Sequence, residues 1–299
     1  MSTKILLGFS FMLFFNDGIT AQVLPAMLII NPLELNLQDD RFPFPTNPDF
    51  IKQHKIKEIY VYRELDIGNN QWYPLFEGVN YLFDKNGILT QKISLGQEDT
   101  IYKPMYDTVH IETYTYENGR IKRQFMQLHS GDIADVNYTY VSDTLVIKTY
   151  YLSYHKLTSH DLLKYMNSKL VESYDSSGNV HEYYLYNAKN SLIKQFTTHK
   201  DYPNYNYTIV YNYDSLQNLI SMNRDGPYTQ RYQFKYTAEG WLSQLDHFER
   251  SDHDPSKEEP NCTMYFDYGF EGRILSITKT GCTVPYWQTQ RLQFVYTYY

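Results

Sequence analysis

The chain has 299 residues, two cysteines and a formal net charge of −7. No basic block offsets that acidic balance, which excludes nucleic acid as a main partner. Tyrosine is the unusual number, at 32 residues; a Tyr ring covers apolar surface while its hydroxyl stays wet, which suits a sheet with one poorly covered face.

Residues 1–21 read as a secretory signal peptide. Lys4 gives a basic start, Ile5 to Phe15 is an apolar run too short to cross a bilayer as a helix, and Thr20 and Ala21 suit cleavage before Gln22. The rival reading of this run is a buried N-terminal helix or strand. Export to the periplasm, the cell surface or the medium is the expectation. No other apolar run is long enough for a membrane helix. Residues 22–50 carry Pro25, Pro32, Pro43, Pro45 and Pro48 and read as an extended lead-in able to cover a sheet edge. Residues 51–299 read as a single β-repeat domain. Its first clear strand is Lys57 to Tyr62, with Ile59 and Val61 on one face and Tyr60 and Tyr62 on the other.

From there one spacing recurs: an aromatic, a turn-forming run, then an aliphatic residue. The pairs are Phe83 and Leu89, Tyr174 and Val180, Tyr186 and Leu192, Tyr213 and Leu219, Tyr236 and Leu242, Tyr268 and Ile274. Shorter versions join Tyr116 to Ile121 and Tyr140 to Leu145. Gly87, Gly178, Gly240 or Gly272 holds the turn, with Asn190 and Gln217 in the other two units; Gly and Asn tolerate the positive φ that tight hairpins need. Asp84, Asp175 and Asp214 directly follow the aromatic and can bond the turn backbone. Before the turns, aromatics alternate with polar residues, as in Tyr232, Phe234 and Tyr236, which is the period of a half-buried strand.

The fold expected is all-β: one antiparallel meander of roughly 15 to 20 strands, twisted and curled into a half-barrel or partly closed barrel. The turns at 175–179 and 187–191 should lie at opposite ends of it. Ser159 to Leu170 has helical spacing but reads better as a strand running from Leu162 to Tyr174, and Asp252 to Pro260 reads as a surface loop.

Cys262 and Cys282 flank the turn near Gly272 symmetrically. Facing positions of a hairpin lie within disulfide reach, and an exported chain meets an oxidising compartment, so a disulfide is expected. No metal motif, nucleotide loop or nucleophile elbow occurs, so neither cofactor nor enzymatic activity is expected. His110 and Glu112 share a strand face but read as surface positions rather than as two metal ligands, as do His181 and Glu182. Trp72, Trp241 and Trp287 could form a ligand-stacking platform for sugar, or be ladder and core residues.

The unit Phe83-Asp84 with Gly87 and Leu89, or Tyr213-Asp214 with Leu219, resembles the YD repeat of Rhs-type bacterial proteins and of secreted proteins with degenerate copies. The resemblance covers roughly residues 55 to 299. It implies strand after strand in a long antiparallel spiral, export, and carbohydrate or surface association. The function expected is that of an exported, non-enzymatic binding or scaffold module, for carbohydrate or an exported protein partner. The alternatives are an outer-membrane β-barrel, suggested by the alternating aromatic finish Phe294 to Tyr299, and a glycan hydrolase with a dispersed site.

Overall fold

A computed structural model describes residues 47–69, 71–97, 106–128, 131–153, 157–227, 229–249, 260–281 and 289–299. The signal-peptide reading, most of the lead-in, all of the expected loop at 252–260 but Pro260, Cys282 and Trp287 lie outside the described residues. In chain order the elements are α1 (Pro48–Gln53), β1 (Ile56–Asp66), β2 (Trp72–Phe83), β3 (Leu89–Gln97), β4 (Tyr106–Glu117), β5 (Arg120–Leu128), β6 (Ile133–Ser142), β7 (Leu145–Leu152), β8 (Leu157–Met166) and β9 (Lys169–Asp175). There follow β10 (Val180–Tyr186), β11 (Leu192–His199), β12 (Tyr207–Tyr213), β13 (Leu219–Asp225), β14 (Gln230–Tyr236), β15 (Leu242–Glu249), β16 (Cys262–Tyr268), β17 (Ile274–Thr280) and β18 (Gln290–Tyr298).

Consecutive strands pair antiparallel throughout, and β18 pairs with β1. The sheet is therefore a closed barrel of eighteen strands, and the expected half-barrel or partly closed barrel is corrected to full closure. The physical reason lies at the seam. Leu292, Phe294 and Tyr296 of β18 stand opposite Arg63, Val61 and Ile59 of β1, so the two strands left over by the meander bury matching faces. Pairing satisfies the edges that the lead-in was expected to cover. Arg291 also forks onto Glu64 across the seam at 2.8 and 2.6 Å.

Burial separates the two faces of the wall. Ile59, Val61, Val79, Tyr81, Leu245, Ile277 and Leu292 are almost wholly excluded from solvent and face inward, while most of their strand neighbours are half-buried. One continuous apolar cluster draws on inward residues around the barrel, so the interior is packed with side chains rather than left as a wide channel. α1 closes into it. Asn47 caps the helix by accepting the Phe50 N–H at 3.0 Å, Pro48 opens it, and Phe50 and Ile51 are buried. Among the described residues the apolar core starts at Phe50.

The alternation of strands puts the turns at 175–179 and 187–191 at opposite ends, as expected. It also gathers eight short turns at one end, together with the start of β1 and the end of β18. We call this the turn end. One expectation is corrected, and two details are added at the Tyr140 and Tyr174 units. Ser159 to Leu170 forms neither a helix nor one strand: Asn167 and Ser168 take positive φ and turn β8 into β9. Tyr140 faces Val146 rather than Leu145. The Tyr174 unit turns at the far end, and Tyr174 shares the outer face with His181 and Lys164.

Candidate functional site: barrel interior, turn end and outer wall

The repeat explains itself at the turn end. The Tyr140 hydroxyl donates to the Ile121 carbonyl at 2.8 Å, Tyr186 to Leu170 at 2.9 Å and Tyr213 to Leu192 at 2.7 Å. Tyr236 donates to Leu219 at 2.9 Å, Tyr268 to Leu242 at 2.8 Å and Tyr296 to Ile274 at 2.7 Å. Each of these six tyrosines thus latches onto the backbone of the aliphatic residue in the preceding turn-end hairpin. The Tyr299 hydroxyl donates to the Phe83 carbonyl, and the Tyr299 N–H donates to the Lys55 carbonyl at 3.0 Å, which extends the latching across the seam. These hydroxyls are not left wet, contrary to the expectation from composition; burial pushes the Tyr186 hydroxyl up to about 12 and raises those of Tyr236, Tyr268 and Tyr296 further. The turn residue after the aromatic behaves as its side chain suggests. Asp84 accepts the Asn86 and Ile88 N–H groups, Asp175 those of Asn179 and Val180, and Asp214 that of Asn218.

Deeper in the barrel, polar side chains from neighbouring strands meet. Glu112 on β4 is buried and takes Lys92 Nζ at 2.7 Å, Tyr114 Oη at 2.6 Å and Gln124 Nε2 at 2.9 Å, with His110 Nε2 at 3.3 Å. Burial alone would raise its pKa; hydrogen bonds from His110, Lys92 and Tyr114 and the charge of Lys92 outweigh that and hold it at about 2. This carboxylate is a saturated anionic anchor, permanently charged at neutral pH. His110 and Glu112 are therefore joined to each other inside the barrel rather than lying at the surface. Glu182 also turns inward, accepting from Ser173 at 2.8 Å and Tyr184 at 2.6 Å, whereas His181 faces out. On β15, His247 stacks on Tyr232 at 4.6 Å; burial lowers its pKa to about 4, and its Nε2 has no hydrogen-bond partner. The spacing of His110, Glu112 and Tyr114 signals one shared face; nothing in the sequence says that the face is internal.

Among the described residues no group of three His, Cys, Asp or Glu could hold a metal ion. Trp72 begins β2 at the far end of the barrel, with the Arg291 guanidinium 4.1 Å over its ring. Trp241 sits at the turn end, 5.2 Å from Tyr268. The structure does not bring these two rings together. Cys262 is buried at the start of β16, and the ladder of β16 and β17 runs from Thr263 opposite Thr280, so its next step brings Gly281 opposite Cys262.

The outer wall carries ion pairs around much of its circumference. Arg123 forks onto Asp135 at 2.8 and 2.9 Å. Glu172 binds Lys164 at 2.7 Å and His181 at 2.6 Å, and Lys235 reaches Asp246 at 3.2 Å.

No family model and no curated protein matches the chain. Among solved structures, a porin-like protein from Bacteroides uniformis aligns at 11% identity and a TM-score of 0.45, over 81% of this chain and 98% of that one. A Photorhabdus luminescens Tc holotoxin pore aligns at 11% identity and a TM-score of 0.31, over 73% of this chain and 15% of that one. A TcdB2-TccC3-TEV crystal structure aligns at 9% identity and a TM-score of 0.23, over 75% of this chain and 18% of that one. At such scores the reading of function rests on the barrel itself.

Proposed function

We propose that the chain is a closed, non-enzymatic β-barrel of the cell envelope, working at the outer membrane. The observation that carries this is closure. Eighteen antiparallel strands, each paired with its chain neighbours and sealed by β18 on β1, follow the even-numbered, up-and-down plan of outer-membrane barrels. That supports the barrel over an open binding sheet.

The outer wall bears on how deep the barrel sits. Arg123, Lys164, Lys235 and Arg291 face outward in ion pairs, and Arg or Lys facing lipid costs about 2–4 kcal/mol each near the bilayer centre. Seven strands have only seven residues, short of the roughly 9–11 that cross a bilayer. Both features favour a wall in water against the membrane; closure favours the spanning barrel. No helix among the described residues is long and apolar enough to cross a membrane, which leaves both placements standing. Carbohydrate or another exported protein is the ligand class to pursue.

Fractionation of the producing cells tests the proposal. The protein should pellet with the envelope; recovery in the cytoplasm would overturn it. Carbonate washing then separates the placements. A peripheral barrel is released, whereas a spanning one needs detergent and runs with heat-modifiable mobility on gels.

A further inference from the structure

All eight hairpin turns at the turn end are among the described residues, and five of these hairpins share a feature unrelated to the latches. Apolar side chains are exposed in or beside the turns: Leu216 at 80% and Phe270 at 80% within turns, Met166 at 62% at the end of β8, and Val141 at 56%, Leu185 at 48% and Leu275 at 47% on the outward face of the wall next to the rim. They come from the hairpins β6–β7, β8–β9, β10–β11, β12–β13 and β16–β17. The first and last of these hairpins are ten strands apart in a ring of eighteen, on opposite sides of the barrel. The remaining arc of this end holds the hairpins β2–β3 and β4–β5, α1, and the end of β18, with Tyr299 bonded to Lys55.

We propose that the turn end seats flat on a lipid bilayer, these side chains entering the headgroup region. This rests on the envelope reading above and specifies the surface used. A globular partner pressed against one side would cover one or two adjacent hairpins. Protrusions on opposite sides of a closed rim are covered together only by something flat and at least as wide as the barrel. A second copy placed end to end would be flat too, but the protrusions do not form the continuous apolar centre that a stable protein interface needs. Exposed polar turn residues such as Asp143, Lys189 and Glu271 lie between them. Separate apolar tips set among polar residues suit a membrane interface, where each tip sinks independently between headgroups. With a chain charge of −7 the attraction is apolar rather than electrostatic, so it should survive high salt.

The test is flotation of the purified chain with vesicles of phosphatidylethanolamine and phosphatidylglycerol at 3:1. Leu216→Glu with Phe270→Glu should lower the vesicle-bound fraction at least tenfold, at high and low salt alike. Tyr265→Glu, an exposed position on the outer wall, should leave it unchanged, and both variants should keep the wild-type melting profile. Equal flotation of the rim variant and the wild type would overturn the proposal, since any binding would then come from elsewhere in the chain. So would a wild type that stays with the soluble fraction, or a concentration-dependent dimer abolished by the rim variant, which would assign the rim to a second copy. The envelope reading fails separately, by recovery of the protein in the cytoplasm.

Discussion

At the scale of single residues, tyrosine rather than phenylalanine serves at the latching units because its hydroxyl answers a backbone carbonyl of the preceding hairpin. At most of these hairpins the ladder slips by one residue beside the aromatic, interrupting the regular pairing where the latch is made. Tyr186→Phe or Tyr268→Phe keeps the ring and removes one bond, to Leu170 or Leu242. Each should cost about 1 kcal/mol in urea unfolding, and the double variant about twice that, since β10 and β16 share no latch. His247 gives a second measurable effect. Its ordinary pKa of 6.5 is lowered to about 4 by burial, so the unfolded chain takes up the proton first. Its contribution to stability is fully present above pH 6.5 and is lost as pH falls toward 4, by at most roughly 3 kcal/mol. His247→Gln should flatten the stability profile in that window. The Glu112 contribution has the same sign but a lower window, being lost as pH falls from about 4.5 toward 2.

At the scale of the hairpin, the sequence was legible because each turn carries its chemistry locally. Asp84, Asp175 and Asp214 bond their turns as expected, and Asn190 and Gln217 adopt the positive φ of the glycines they replace. The same locality hid two things. The short interval from Tyr174 to Tyr186 leaves room for one strand and so places their turns at opposite ends, but nothing local says that the other long-spaced units all share one end. The Asn167-Ser168 turn lies inside a stretch whose leucines suggest a helix, and its two-residue length escapes a search for longer spacings. The turns also differ in what surrounds them. A Cβ at Gly240, with φ +87°, would meet open space, so Gly240→Ala carries only the backbone strain, about 1 kcal/mol. At Gly87, with φ +81°, a Cβ would stand 2.1 Å from the Pro48 carbonyl oxygen. Gly87→Ala should therefore cost several times more than Gly240→Ala in thermal unfolding and lift α1 from the core, exposing Phe50 and Ile51 to faster hydrogen exchange.

At the scale of the whole molecule, closure was the part that spacing could not carry. The bonds between Arg291 and Glu64 join residues 227 positions apart, and no periodicity within either strand names the other as its partner. The interior is hidden for the same reason: Glu112, Glu182 and His247 alternate as ordinary strand residues do, and only closure makes their face the inside. Closure also makes a prediction that an open meander would not. In a ring every strand has two neighbours, so no junction is privileged, and the start of β1 and the end of β18 meet at the turn end, where Tyr299 bonds Lys55. Joining residue 299 to residue 47 through about ten Gly/Ser residues, a reach of roughly 17 Å, and opening the chain at the exposed Glu239 between β14 and β15 should give a folded permutant. Its strand circular dichroism should match the parent, with a melting temperature within a few degrees. In an open sheet the same operation would move the two free edges to β14 and β15 and break their pairing, and the permutant would aggregate through those edges. Cutting instead within β18 should be damaging even in the ring, because it severs a strand whose Leu292 and Phe294 are buried on both sides of the seam.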